Sequence, residues 1–304
     1  MFYRCMSRLV CLFFLAVMLI ACSPALAIIN HASSGEPTDT PNDAVVGRYG
    51  TNASLVVISP RYAITTRHQG SGQNVVIGGT TYYTTETNHA SADIRILRLY
   101  TDFAKTTDAA LTNYVGLFNT TDETAAGNND VVLGGHGRTR GSDLTSGNPS
   151  QVYGYDWATS PNSNTYGMHW ATNLLDGGTG TAGGTYTSDI IGGDFDGLGE
   201  GGATSYEGIL AQYDSGGGMF HEVNSGWYVM ALNRAVEHNG EAWFRNDEDP
   251  SVLDPDAFDG VRISSYASWI QSNTLDTITT IPEPATMLLL VSGGVAMLAR
   301  RRRA

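Results

Sequence analysis

Tyr213-Asp214-Ser215-Gly216-Gly217-Gly218-Met219-Phe220 sets a serine in front of three successive glycines and then runs straight into an apolar segment. Glycine enters the left-handed backbone region without a Cβ penalty, so this stretch lets the chain turn tightly around one hydroxyl before a strand begins. Two segments of similar character lie upstream. Ser59-Pro60-Arg61-Tyr62-Ala63-Ile64-Thr65-Thr66-Arg67-His68 is strand-like and ends on a histidine where a glycine-rich loop starts. Ala92-Asp93-Ile94-Arg95-Ile96-Leu97-Arg98-Leu99 opens an apolar strand with an aspartate. Taken singly, each has an ordinary structural reading: a histidine at a strand end, an aspartate in a turn.

Around these segments the chain reads as strands between turns. Apolar or alternating runs at 53–58, 62–65, 74–77, 94–99, 131–134, 167–171, 219–223 and 227–232 recur between glycine-rich turns, the spacing of a β-barrel or sandwich. Glycine fills 36 of the 304 positions and only 15% of residues are charged, so turns are abundant and the surface is weakly charged. Residues 177–202, rich in glycine, threonine and aspartate, read as surface loops. One helix is expected near the end, where Ile263, Tyr266, Ala267 and Ile270 fall on one face. Residues 274–280 read as a linker.

Both ends carry address-like segments. Arg4 and Arg8 precede an apolar run at 9–21, and Ala25-Leu26-Ala27 offers small residues for a signal peptidase, which would make Ile28 the first mature residue. The alternative is a lipobox at Leu19-Ile20-Ala21-Cys22 with Cys22 lipidated. All three cysteines, Cys5, Cys11 and Cys22, lie within this leader, so cleavage after Ala27 leaves a body that depends on its core rather than on disulfides. At the other end, Ile281-Pro282-Glu283-Pro284-Ala285 precedes an apolar run at 287–299 and then Arg300 to Arg303. That order closely resembles the PEP-CTERM sorting signal of bacteria that use an exosortase. The resemblance implies export, tail processing by the exosortase, transient membrane contact through the terminal segments, and delivery to the cell envelope, surface or extracellular matrix. A plain C-terminal transmembrane anchor is the alternative.

The terminal segments hold six of the 17 basic residues and one of the 30 acidic ones. The body between them therefore has 11 basic and 29 acidic side chains, a net charge of −18. Such a surface repels polyanions, and no basic stripe is present to hold nucleic-acid phosphates.

His68, Asp93 and Ser215 stand in the chain order of one of the known Ser-His-Asp arrangements. In its motifs the body resembles the trypsin-like, chymotrypsin-fold serine proteases, whose histidine lies in T-A-A-H-C, whose aspartate opens D-I-A-L-L-R-L and whose serine lies in G-D-S-G-G. Gly135-His136-Gly137 resembles that family's G-W-G, and the stretch from Val261 to Ile270 resembles its closing R-V-S-x-Y-x-x-W-I. The resemblance implies an all-β fold of two six-stranded barrels with a short C-terminal helix, polypeptide substrates and no cofactor. It implies a catalytic triad of His68, Asp93 and Ser215, and an oxyanion hole made by the backbone amides of Tyr213 and Ser215. It further implies an ion pair between the new Ile28 amino group and Asp214, and a specificity-pocket floor at Ile209, six residues before the serine, favouring an apolar P1 side chain.

Several positions depart from the pattern. Tyr213 stands where the family has glycine, Gly218 where proline is usual, and Arg67 where a small residue precedes the histidine. The 25 residues from His68 to Asp93 make a short gap, so Asp102 and Asp108 stay as other candidates for the acid. Two acidic groups, Asp194, Asp196 and Glu200 and then Asp254, Asp256 and Asp259, lack the calcium-loop spacing and read as solvated loops; no metal is expected. A non-catalytic binding module of the same fold, and a structural or carbohydrate-binding matrix sandwich, are the rival readings.

Overall fold

The computed structural model describes residues 28–31, 35–146, 151–158 and 167–281. After a short strand β1 (Ile29–Asn30), six strands follow: β2 (Val46–Tyr49), β3 (Ala53–Val57), β4 (Tyr62–Thr65), β5 (Val75–Ile77), β6 (Thr80–Asn88) and β7 (Arg95–Tyr100). They close into an antiparallel barrel in the order β2-β3-β4-β7-β6-β5. Strand alternation explains why β3 and β4 are buried on both faces. Leu55, Val57, Ala63, Leu97 and Leu99 fill the barrel. Their neighbours Val56, Ile58, Ile64, Ile94 and Ile96 point outward, into an apolar layer shared with Phe220, Val229, Leu232 and Val261 of the second half.

The second half comprises β8 (Gly116–Leu117), β9 (Asp130–Gly135), β10 (Arg140–Thr145), β11 (Val152–Trp157), β12 (His169–Leu174), β13 (Gly178–Ala182), β14 (Ser188–Asp194), β15 (Gly208–Ile209), β16 (Gly218–Val223), β17 (Gly226–Val236), β18 (Glu241–Trp243) and β19 (Ala257–Arg262). Its main sheet runs β12-β9-β16-β17-β19-β14-β13, with β8 laid against β17. The six strands from β12 to β14 curl until their ends meet. Asn173 on β12 donates through Nδ2 to the Asp194 carbonyl of β14 at 2.7 Å and to the Gly208 carbonyl at 2.9 Å. A side chain at Gly193 would put Cβ 2.1 Å from the Leu174 carbonyl oxygen, so glycine is what allows this approach. The described residues are thus nearly all-β, one closed six-stranded barrel packed against a second, curled sheet where two six-stranded barrels were expected.

The stretch 177–202, read from sequence as loops, contains β13 and β14. Its glycines weaken the hydrophobic signal because they serve close strand approach rather than packing. Helix α1 (Ala267–Ser272) is shorter than the apolar face suggests. Ile263 instead continues the sheet, donating its amide to the Met230 carbonyl, while all four residues of that face remain buried between the barrels. Residues 274–280 lie along the body: Asp276 binds Arg61 and accepts from Ser59 at 2.7 Å, and the Leu117 amide donates to the Thr279 carbonyl at 2.8 Å. Among the described residues no helix is long and apolar enough to cross a membrane. The apolar runs at 9–21 and 287–299 lie outside the described residues.

Candidate active site

β4 and β7 are paired, Thr65 opposite Arg95, so the chain leaving β4 and the chain entering β7 meet at one end of the first barrel. That register brings His68 to Asp93. The aspartate is buried; its Oδ2 meets His68 Nδ1 at 2.5 Å, and its Oδ1 accepts the amides of Arg67 at 2.7 Å and His68 at 2.8 Å. One carboxylate oxygen therefore anchors the loop and the other orients the imidazole, which is 32% exposed on its side chain. Arg67, unusual beside such a histidine, is held beside the site: its guanidinium lies 4.3 Å from the centroid of the Tyr186 ring and donates to the His89 and Ala92 carbonyls.

Ser215 sits in the turn between β15 and β16, pinned to the first barrel by Ser54, whose amide donates to the Ser215 carbonyl at 2.8 Å and whose hydroxyl donates to the Tyr213 carbonyl at 3.2 Å. The Gly216 amide donates to the Asn233 carbonyl at 2.8 Å. Gly216 has φ +84°, and a Cβ there would stand 2.2 Å from Thr65 Oγ1 and 2.3 Å from the Ser54 carbonyl oxygen. Gly216→Ala is therefore expected to cost roughly 2–4 kcal/mol, from backbone strain plus overpacking, read as a lower denaturation midpoint in urea.

The Ser215 hydroxyl donates a long 3.4 Å hydrogen bond to the Arg234 carbonyl. His68 and Asp93 line one cleft of about 200 Å³ and Ser215 lines another of about 200 Å³; Arg234 borders both. Its guanidinium is held by Asp259 through two 2.5 Å contacts. The Ser215 cleft is walled by Trp157, Leu210, Ala211, Ala235 and Val236, and no carboxylate lines it among the described residues. Ile209 is not part of that wall. It is fully buried and pairs with Ile29, and because successive strand residues face opposite sides, the wall falls to the residues after it.

Tyr213 takes φ +81°, so the tyrosine adopts the left-handed conformation that glycine enters freely. Gly218 stands where a Cβ would come 2.4 Å from the Phe220 ring, which accounts for glycine there. Asp214 is completely buried, accepting from the Gly137 amide at 2.7 Å and the Ala211 amide at 2.9 Å, and burial pushes its carboxyl up to about 7. Ile28 is also fully buried, bridging to Thr139, and carries φ +61°. The Asp214 donors are thus backbone amides in the intact chain.

Asp102 and Asp108 are occupied elsewhere. Asp102 accepts from Thr106 and Thr107 in a turn, and Asp108 binds Arg61 and Arg98 on the barrel surface. Of the acidic loop, Asp194 and Asp196 join Asp176, with carboxylate oxygens within 4.8 Å of one another, and burial followed by these neighbours pushes Asp194 up to about 6. Glu200 instead pairs with Arg245. Asp254, Asp256 and Asp259 are dispersed, accepting from Asn246, His238 and Arg234 respectively. Sequence reading missed Ser54, Asn233, Arg234 and Trp157, which bear on the site from ordinary-looking strands and carry no motif.

Residues 280–303 match the PEP-CTERM protein-sorting motif, which marks bacterial proteins for export and the cell envelope. No curated protein matches the chain. Among solved structures, the Rv3671c protease in an inactive form is similar at 14% identity, over 78% of this chain and 98% of that one, with a TM-score of 0.41. A mutant of Rv3671c from M. tuberculosis H37Rv, also in an inactive form, is similar at 13% identity, over 80% and 99%, with a TM-score of 0.42.

Proposed function

We propose that the chain is an exported serine endopeptidase that cuts polypeptides after an apolar side chain. The observation that carries this reading is the imidazole of His68, oriented by buried Asp93, one cleft away from Ser215 across Arg234. In this reading the Ser215 hydroxyl leaves the Arg234 carbonyl and turns to His68 Nε2 when substrate binds. The imidazole takes that proton as Oγ attacks the substrate carbonyl, and Asp93 stabilises the charge gained. The amides of Tyr213 and Ser215 receive the oxyanion. His68 then returns the proton to the leaving amine, an acyl group stays on Ser215, and water repeats the sequence to release it. The reaction as written runs on these side chains without a cofactor.

Leader removal by signal peptidase before Ile28 and processing of the tail by an exosortase belong to the same reading, with the envelope, surface or matrix as destination. The Ser215 hydroxyl turned to the Arg234 carbonyl favours a second reading, a binding module of the same fold. Fluorophosphonate labelling of the exported full chain separates the two. A single adduct is expected that vanishes in Ser215→Ala and weakens in His68→Ala; a folded chain that takes no label would remove the protease reading and leave the binding module.

A further inference from the structure

We infer that Arg138 is a positioning residue for the oxyanion hole, holding the Gln212–Tyr213 peptide against the pull of a strained tyrosine. The inference rests on the protease reading above. Across a trans peptide the carbonyl and the amide point in opposite directions, so whatever fixes the Gln212 carbonyl also aims the Tyr213 amide. Arg138 does this from one side: its backbone amide donates to the Gln212 carbonyl at 2.8 Å. Its side chain grips the same two residues. Nε donates to Gln212 Oε1 at 2.7 Å, the guanidinium carbon lies 5.6 Å from the Tyr213 ring centroid, within cation–π range, and Nη1 donates to the Ala158 carbonyl at 3.2 Å. From the other side Ser54 Oγ holds the Tyr213 carbonyl.

A glycine at 213 would need no such grip, because φ +81° costs it nothing. A tyrosine at that angle is disfavoured, and rotation of the peptide would relieve it while turning the amide away from the reacting carbonyl. Arg138 thus does for a tyrosine what glycine's own freedom otherwise does, and the side chain that departs from the motif becomes the handle by which the amide is held.

The test uses the exported full chain. Arg138→Ala, which keeps the backbone amide on the Gln212 carbonyl and removes only the side-chain grip on Gln212, Tyr213 and Ala158, is expected to lower kcat about tenfold with KM within twofold, less than the ~10²-fold or more that follows complete loss of an oxyanion donor. Affinity for a peptidyl boronate, whose tetrahedral adduct places an oxygen in the hole, should fall in parallel, while affinity for a product peptide of the same sequence stays within twofold. Arg138→Lys, which keeps the cation but not the fork, should fall between. In a Tyr213→Gly background the same Arg138→Ala change should cost less than threefold. A kcat within twofold of the parent, or an equal loss in both backgrounds, overturns the inference. A folded parent that takes no fluorophosphonate overturns the protease reading first, and this inference with it.

Discussion

Asp93→Asn is expected to lower kcat about 10⁴-fold while the protein stays folded. Asp93 Oδ1 accepts two backbone amides, from Arg67 and His68, and Oδ2 faces His68 Nδ1. An asparagine keeps its carbonyl oxygen on the two amides, since an NH2 group there would oppose two donors. Its amide nitrogen then lies against Nδ1 and donates to it. The imidazole is forced into the tautomer with its proton on Nε2, the atom that accepts the serine proton in the proposed mechanism, so that base would be blocked without being displaced. Stopped assays of kcat on a chromogenic peptide with an apolar P1 residue, beside thermal melts, provide the measurement. A loss smaller than tenfold with an unchanged melt would mean that His68 does not act as the base. Asp102→Asn and Asp108→Asn, whose carboxylates serve a turn and a surface arginine pair, are expected to leave kcat within twofold.

The candidate site was legible in the sequence where chemistry and backbone geometry select the same residue. His68, Asp93 and Ser215 each lie within three residues of a strand end, and glycine is needed after Ser215 because position 216 has neither the φ nor the space for a side chain. The first barrel was legible because β3, β4 and β7 are rich in apolar residues, those on one face packed in the barrel interior and those on the other against the second half. β13 and β14 were not, since Gly178, Gly180, Gly192 and Gly193 supply backbone pairing without apolar weight. Ile209 lies outside the Ser215 cleft because counting back from the serine fixes a position in sequence, whereas pairing with Ile29 fixes which way the side chain faces. Ser54 was invisible for a different reason. It is one of five buried residues in β3, and only the fold reveals that its amide and hydroxyl tie the serine turn to the other barrel.

Insertion of one residue between Ala27 and Ile28, leaving a mature chain one residue too long, is expected to lower kcat at least a hundredfold. In the intact chain Ile28 is buried at φ +61°, a poor conformation for a β-branched residue, and Asp214 is buried with two amide donors. Hydrolysis before Ile28 removes the preceding carbonyl that defines that angle and creates an ammonium group. Pairing of that ammonium with Asp214 would fix the turn carrying Tyr213 and Ser215, and an extra residue carries the charge out of reach. The pH dependence of stability reports the same event. In the intact chain burial raises Asp214 to about 7, above an ordinary carboxyl near 3.9. The folded state therefore holds a proton that the unfolded chain releases, and stability falls as pH rises from about 4 to about 7. After processing, the ammonium lowers the Asp214 pKa and raises its own above the usual ~7.7–8.0 of an α-amino group. The acid-side decline should then vanish, and a decline should appear as pH rises through the raised amine pKa. His136, lowered to about 4 by burial, and Glu207, raised to about 8 by burial, titrate in both forms, so the difference between the two melting profiles isolates the Asp214 pair. N-terminal mass, kcat and melting temperature from pH 4 to 10 on the intact, processed and extended chains make the measurement. An extended chain with kcat within threefold of the processed one would detach the Ile28 amino group from catalysis.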